Sequence, residues 1–381
     1  MIIKIIKTYD KMIKKIFNKP YIIAEFLKDR YNLLPYYYKK TGFAHSPTTI
    51  FIAINSVCNL KCEMCDFGQQ NENSLFYKNL KAGGGELSFD TIKKLIDDVK
   101  KSKPKIAITS AEPLLYKNIV KTIKYIKKSG LSCQLTTNGY YLEKFANDLV
   151  KSKVNEIWIS LDGPSKIHNE IRGVKNSYEK AIAGIKKIQK IKGNTKSPTI
   201  HINYTITDKN FDLLNGFYSD MKKLNISQIT FSHLNFVTDE ISKIHNKTFG
   251  KIGMTTPTSL AIVNPKKINI NQLYKNIQEI KNVNDPIVSF LPEMNKKQID
   301  DYYNIPKKFV TRTKCYVPWL SAQILANGDV TMITRCFNIK FGNINEEKLS
   351  KIWNNKKYKN FRKIMKEKGV LPACSRCCGI F

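Results

Sequence analysis

The chain has 381 residues, 42% hydrophobic and 11% aromatic, which excludes a disordered protein and allows a full-sized core with a smaller second unit. A formal net charge of +33 would suit nucleic acid, an anionic membrane surface or an acidic protein, but lysines are spread through almost every segment among many Ile and Asn. With no RNA-binding motif and no basic stripe interleaved with aromatics, composition bias is the better account and no nucleic acid partner is expected. Nine cysteines in metal-like spacings, no cleavable signal and no run near the ~18 apolar residues of a membrane span point to a reducing, cytoplasmic setting, not a disulfide scaffold.

Residues 1–47 form an N-terminal extension. Ile2, Ile5, Ile6, Tyr9, Met12, Ile13, Ile16 and Phe17 recur at helical spacing, with Lys4, Lys7, Lys11, Lys14 and Lys15 on the other face. Such a basic amphipathic helix either packs on the body of the protein, the simpler reading, or makes a peripheral membrane contact through residues 1–17. Tyr36, Tyr37 and Tyr38, after Pro35, read as an irregular linker packed near the rim of the next domain.

Residues 48–235 alternate strand and helix, the pattern of a mostly parallel sheet with covering helices. The apolar run Ile50 to Ile54 reads as a buried strand and empties into three thiols, Cys58, Cys62 and Cys65, spaced Cys-x3-Cys-x2-Cys. Structural zinc wants four protein ligands, so it fits this loop poorly. Three thiolates on a four-iron cluster would leave one iron open to a small molecule.

A helix follows over 89–101, with Ser88 as N-cap and Ile92, Leu95, Ile96 and Val99 on its buried face. The second strand, 105–109, ends in Ser110-Ala111-Glu112-Pro113. Helix 117–128 stops at Gly130, and the third strand, 131–137, closes at Asn138-Gly139. Cys133 within it reads as a small core residue. The fourth strand, 156–160, runs into Leu161-Asp162-Gly163-Pro164. Then come helix 177–191, strand 199–206, helix 211–223 and strand 228–232, six strands in all.

Residues 236–310 read as a bridging insertion, with a helix-like stretch over 272–280, an apolar segment 287–291 and a loop at 255–259. Residues 311–381 carry a second set of thiols. Strands 322–325 and 330–333 flank Asn327-Gly328-Asp329, a hairpin signal, and a helix is expected over 346–367. Cys315, Cys336, Cys374 and Cys377, with Cys378 spare, are spaced for one metal site, where four-cysteine zinc and an iron–sulfur cluster compete.

Cys-x3-Cys-x2-Cys after a first strand resembles the radical S-adenosylmethionine (SAM) superfamily, and the C-terminal hairpin, helix and thiols resemble its SPASM/Twitch auxiliary domain. The resemblance covers most of the chain beyond residue 47. It implies an α/β fold, a partial (β/α)6 TIM-like barrel with a small C-terminal α+β iron–sulfur domain, with the chemistry at the strands' C-terminal ends. It implies a [4Fe–4S] cluster on Cys58, Cys62 and Cys65 whose open iron holds SAM. One electron then cleaves the sulfonium and yields a 5'-deoxyadenosyl radical, chemistry that a protein positions and a cofactor performs.

The strand ends carry the match. Ser110, Ala111 and Glu112 stand where the family has the Gly-Gly-Glu-Pro loop beside SAM's amino group; both glycines are replaced, which is tolerable if φ stays negative. Asn138 matches the third-strand turn. Ser160 and Asp162, with Arg172, resemble the segment that holds SAM's ribose and carboxylate, for which the guanidinium fork of Arg172 is suited. Met64 takes the place of an aromatic near the adenine. His168 reads as a residue that caps or orients its loop. Cys315, Cys336, Cys374 and Cys377 would ligate a second, auxiliary [4Fe–4S] cluster without an open iron, able to accept an electron but not to bind substrate.

Three functions follow as expectations. The first is an oxidoreductase that abstracts hydrogen from a small-molecule or sugar-type substrate and passes an electron to the auxiliary cluster, like Twitch-type dehydrogenases in cluster count. The second is a maturase of a ribosomal peptide or protein, and the third a non-catalytic iron–sulfur electron carrier. A flavodoxin- or ferredoxin-like electron donor is expected, and no catalytic acid or base is singled out.

Overall fold

The computed structural model describes residues 21–81, 85–310, 313–332 and 337–377. The amphipathic stretch 1–17, Cys336 and Cys378 lie outside the described residues. A ten-stranded sheet organises the rest. Its strands are β1 (Thr49–Ala53), β2 (Lys105–Thr109), β3 (Cys133–Thr137), β4 (Glu156–Ser160), β5 (Thr199–Ile206), β6 (Gln228–His233), β7 (Val288–Leu291), β8 (Ser321–Ile324), β9 (Asp329–Thr331) and β10 (Gly342–Asn343). They pair in the order β10-β9-β8-β1-β2-β3-β4-β5-β6-β7, so the sheet is curved but not closed into a ring.

Side-chain alternation along the strands explains both faces. Ile50 and Ile52, Ile106 and Ile108, Cys133 and Leu135, and Ile157 and Ile159 are fully buried. Above them lie helices such as Phe89–Val99, whose Ile92, Leu95, Ile96 and Val99 are buried and whose N-cap Ser88 accepts Thr91 N–H at 3.0 Å. The opposite parity, including Thr136, Ser160 and Thr205, turns inward and reaches the cavity at the strands' C-terminal ends.

The architecture corrects several expectations. Two parallel strands join the expected six. β7, from the supposed bridging insertion, pairs with β6 (Phe231 opposite Phe290), and β8, from the C-terminal region, pairs with β1 (Ile52 opposite Ile324). The C-terminal hairpin is therefore an extension of the barrel sheet: β8 and β9 run antiparallel with Ile324 opposite Val330. Helices Leu75–Lys81, Leu142–Lys151 and Ser165–Arg172 stand where none was predicted. The expected helix 346–367 is two, Leu349–Ile352 and Lys356–Lys368, because the Asn355 side chain caps Tyr358 N–H and starts a new helix.

Tyr36–Tyr38 are not an irregular linker. They end a helix, Tyr21–Tyr38, that contains Pro35. Proline denies a helix one N–H and does not forbid helical φ, and Lys39 N–H still reaches the Pro35 carbonyl at 3.0 Å. Tyr36 is buried edge-on against Tyr316 and Trp319, each at 4.9 Å. Among the described residues no helix is long and apolar enough to cross a membrane.

Candidate functional site

β1 delivers the three-cysteine loop to the C-terminal edge of the sheet, where its backbone is held on two sides. Lys61 N–H donates to the Arg172 carbonyl at 3.1 Å and Glu63 N–H to the Ile171 carbonyl at 2.9 Å. This close approach requires Gly173, whose φ is +66° and where a Cβ would come within 2.8 Å of the Lys61 carbonyl oxygen. On the other side the buried Asp66 carboxylate accepts Ser74 Oγ at 2.8 Å and Ser259 N–H at 3.2 Å. The loop at 255–259 thus braces the cysteine loop.

Cys58, Cys62 and Cys65 line one cavity of about 200 Å³, together with Met64, Ser110, Ala111, Asn138, Ser160 and Arg172. The structure brings six of the eight proposed SAM residues to this wall and keeps two behind it. Glu112 is fully buried and its carboxylate accepts Leu114 N–H at 2.9 Å, Thr137 Oγ at 2.7 Å and Asn138 N–H at 2.8 Å. Its backbone N–H reaches the Val57 carbonyl at 2.9 Å. Glu112 therefore ties three strand-end loops together. Burial pushes its pKa up, against those donors.

Asp162, also fully buried, pairs with Arg172 at 2.5 Å and accepts Thr205 N–H at 2.8 Å. His168 Nδ1 accepts Asp162 N–H at 3.1 Å and so orients this loop; burial holds His168 neutral, its pKa well below the ordinary value. Arg172 is pushed further toward the charged form by Asp162 and by the Cys62 sulfur, against the cost of burial.

Ser110 and Ala111 break the expectation of negative φ. Their φ values are +69° and +47°, the left-handed region. The fold keeps the backbone shape that glycine would give and takes the strain of two Cβ atoms, of order 1–2 kcal/mol each. The sequence reading also missed Thr136 and Thr205 in the wall. They share Ser160's face through the pairing of β3, β4 and β5 (Thr136 opposite Trp158, Ser160 opposite Asn203), and within its own strand each has the parity opposite to the buried apolar residues Leu135 and Ile206, the one local signal that could have found it.

Electrostatics at the thiols are one-sided. Burial lifts Cys62 to about 12, with the Cys58 and Cys65 sulfurs adding to the effect, and raises Cys58, with Glu112 and Cys65 adding; Arg172 opposes both. A bound cation cluster would supply the missing positive charge. Among the described residues no three His, Cys, Asp or Glu side chains converge on a single metal ion. A four-iron cluster asks for a different arrangement, one thiolate at each of three corners, around a space that three cysteines line.

In the C-terminal region Cys315 and Cys374 are buried and Cys377 is half-buried. Val370 N–H donates to the Thr313 carbonyl at 3.1 Å, joining the flanks of Cys315 and Cys374. Phe337, next to Cys336, stacks on His245, whose Nδ1 accepts Ala373 N–H, next to Cys374, at 3.4 Å.

An open parallel α/β barrel that aims three thiols into a cavity at its strand ends, with more thiols in the segments before and after the hairpin that extends the same sheet, defines an iron–sulfur enzyme class. A family model described as the radical SAM superfamily matches residues 52–214, and one described as an iron–sulfur cluster-binding domain, SPASM, matches residues 315–378. Together they span more than half of the chain, and the chain belongs to the radical SAM superfamily and carries a C-terminal SPASM domain. It is an enzyme, not a passive electron carrier. Its cofactors are a [4Fe–4S] cluster with SAM, and auxiliary iron–sulfur in the SPASM domain.

Among relatives, the tungsten-containing aldehyde ferredoxin oxidoreductase cofactor-modifying protein of Pyrococcus furiosus is 24% identical over 345 residues, 86% of each chain. Streptococcus suis SuiB bound to the precursor peptide SuiA has a TM-score of 0.60 at 16% identity, covering 89% of this chain and 72% of that one. The structure of anSMEcpe with bound AdoMet and the Cp18Cys peptide has a TM-score of 0.56 at 18% identity, covering 83% and 82%. At these identities the two structures show a shared fold.

The cavity suits the first cofactor pair on its own evidence. Arg172, which lines the cavity, has a buried Nε with no hydrogen-bond partner in the protein. A buried donor left open costs roughly 1–3 kcal/mol, and a carboxylate ligand would satisfy the guanidinium.

Proposed function

We propose that the chain is a radical SAM maturase acting on a polypeptide, with Cys58, Cys62 and Cys65 as the ligands of the SAM-binding [4Fe–4S] cluster. The observation that carries the cofactor assignment is the single cavity in which these thiols meet the charged, partly unpaired Arg172. When bound, the cluster and SAM supply one-electron cleavage of the sulfonium and a 5'-deoxyadenosyl radical that takes a hydrogen atom from substrate. Arg172 would receive the carboxylate of SAM, Met64 would take the adenine side, Ser110, Ala111 and Asn138 would offer backbone and amide groups to the amino group, and Ser160 would take the ribose side. Glu112 and Asp162 hold these loops from behind. Cys315, Cys336, Cys374 and Cys377 ligate one auxiliary [4Fe–4S] cluster. A flavodoxin- or ferredoxin-like donor with an acidic face suits the +33 charge.

Two likenesses support a polypeptide substrate over the small-molecule oxidation expected at first. SuiB was crystallised with its precursor peptide and anSMEcpe with a peptide, and the shared fold extends over 83–89% of this chain. The full-length relative from Pyrococcus furiosus acts, by its name, on a cofactor, which keeps small-molecule oxidation as the second reading. The reconstituted protein with SAM and a low-potential reductant should form 5'-deoxyadenosine, and Cys62→Ala should form none. Adding the polypeptide fraction of the source cells should speed that reaction; a response to the small-molecule filtrate alone would move the assignment to the second reading.

A further inference from the structure

Arg172 touches more than a prospective ligand. Its Nη1 lies 3.6 Å from Cys62 Sγ and donates to it, and its Nη2 lies 2.5 Å from the Asp162 carboxylate. Arg172 lines the cavity and Asp162 does not. The ion pair is therefore oriented, with its positive end at the sulfur and its negative end in the protein behind, where Thr205 N–H also holds the carboxylate. The position is fixed by local structure. Arg172 is the last residue of helix Ser165–Arg172, Gly173 turns the chain with φ +66°, and the Arg172 carbonyl accepts Lys61 N–H from within the cysteine loop. A second, longer contact, Asn138 Nδ2 to Cys58 Sγ at 3.9 Å, reaches the neighbouring thiol without a charge.

Hydrogen bonds and net charge at the sulfurs are among the protein's controls on the potential of an iron–sulfur cluster. One-electron reduction by a ferredoxin-class donor adds one negative charge to the cluster and breaks no bond. A guanidinium at a ligand sulfur stabilises the reduced form more than the oxidised form, and inside the protein it does so with little screening.

From this geometry we infer that Arg172 is a positioning residue that raises the reduction potential of the SAM-binding cluster through Cys62, and that Asp162 moderates the effect. This rests on the reading of Cys58, Cys62 and Cys65 as cluster ligands. A merely structural pair would hold the loop; a tuning pair makes its two members act with opposite sign.

The test is an EPR-monitored redox titration of the reconstituted protein without substrate or SAM, following the signal that is absent from Cys58→Ala/Cys62→Ala/Cys65→Ala and that, in the wild type, changes on addition of SAM. Arg172→Gln alone would leave Asp162 buried and unpaired, so the comparison uses Arg172→Gln/Asp162→Asn and Asp162→Asn. The double variant should be harder to reduce, with the reduced-to-oxidised ratio at a fixed potential falling about tenfold, 59 mV for a one-electron couple. Asp162→Asn, which keeps the cation and removes its counter-ion, should shift the other way. Wild-type potentials in both variants, or shifts of the same sign, with that cluster signal retained, would overturn the inference and leave the cluster assignment standing. No SAM-responsive signal in the wild type would overturn the assignment and the inference together.

Discussion

At Ser110 and Ala111 two side chains occupy backbone that favours glycine, with φ of +69° and +47°. Both residues line the cavity, and the loop is pinned on its far side by Glu112, whose carboxylate takes three donors. Strain held by such surroundings can be relieved by deleting the Cβ. Ala111→Gly should raise stability by about 0.5–1 kcal/mol, the left-handed cost recovered less the added freedom of the unfolded chain. Denaturant unfolding of the iron-free protein measures this, and a loss of about 1 kcal/mol would show that the Cβ is packed rather than strained. The thiols add a pH signature to the same protein. Cys62 and Cys133 are raised to about 12 by burial, so above about pH 9 the unfolded chain releases protons that the folded chain keeps. Iron-free protein should lose stability as pH rises from 9 toward 12.

Among the elements, helix Lys296–Asn304 depends on a residue set between two cysteines. Arg376, almost fully buried between Cys374 and Cys377, donates to the carbonyls of Asp301 at 2.9 Å, Ile305 at 2.6 Å and Lys308 at 2.9 Å, and also to Tyr302. It satisfies the carbonyls at and beyond the helix's C-terminal end. Arg376→Met should remove these side-chain donors, while the Asp301 and Ile305 carbonyls keep the backbone N–H groups of Ile305 and Lys308; stability should fall by about 1–3 kcal/mol, and iron content should fall toward that of the barrel site alone; unchanged melting would contradict this.

What the sequence made legible at this scale was local. Short apolar runs bounded by turns marked β1 to β6, and three thiols after β1 located the cavity, because each signal lies within a few consecutive residues. Long-range pairing was not legible. Nothing in Ser321–Ile324 says that it pairs with Thr49–Ile52, and Val288–Leu291 is short and carries a serine. Pro35 and the tyrosines after it read as a break, though burial of Tyr36 against Trp319 outweighs one lost N–H. The sign of φ at Ser110 and Ala111 was misjudged because residue type predicts preference and the surrounding hydrogen bonds decide the outcome.

In the whole molecule the two sets of thiols flank one sheet. β1 leads into Cys58, Cys62 and Cys65, and β8, its direct neighbour, begins the hairpin of the SPASM domain. Acid should unsettle this body through its buried imidazoles. His233, held neutral by burial with a pKa lowered to about 3, and His168, lowered well below its ordinary value, stay unprotonated in the fold. The unfolded chain takes up those protons below about pH 6.5, so stability falls as pH falls, by about 1.4 kcal/mol per unit for each imidazole. Thermal melting between pH 7 and pH 5 would show the slope; a flat profile would contradict neutral burial.

The central claim, one iron–sulfur site at the strand ends and a second in the C-terminal region, is tested most directly by iron per chain after anaerobic reconstitution, for the wild type and for Cys58→Ala/Cys62→Ala/Cys65→Ala. The account predicts about eight iron falling to about four. About four falling to none, with zinc bound in the C-terminal region, would contradict the auxiliary cluster, and iron unchanged in the variant would contradict the assignment of the first site.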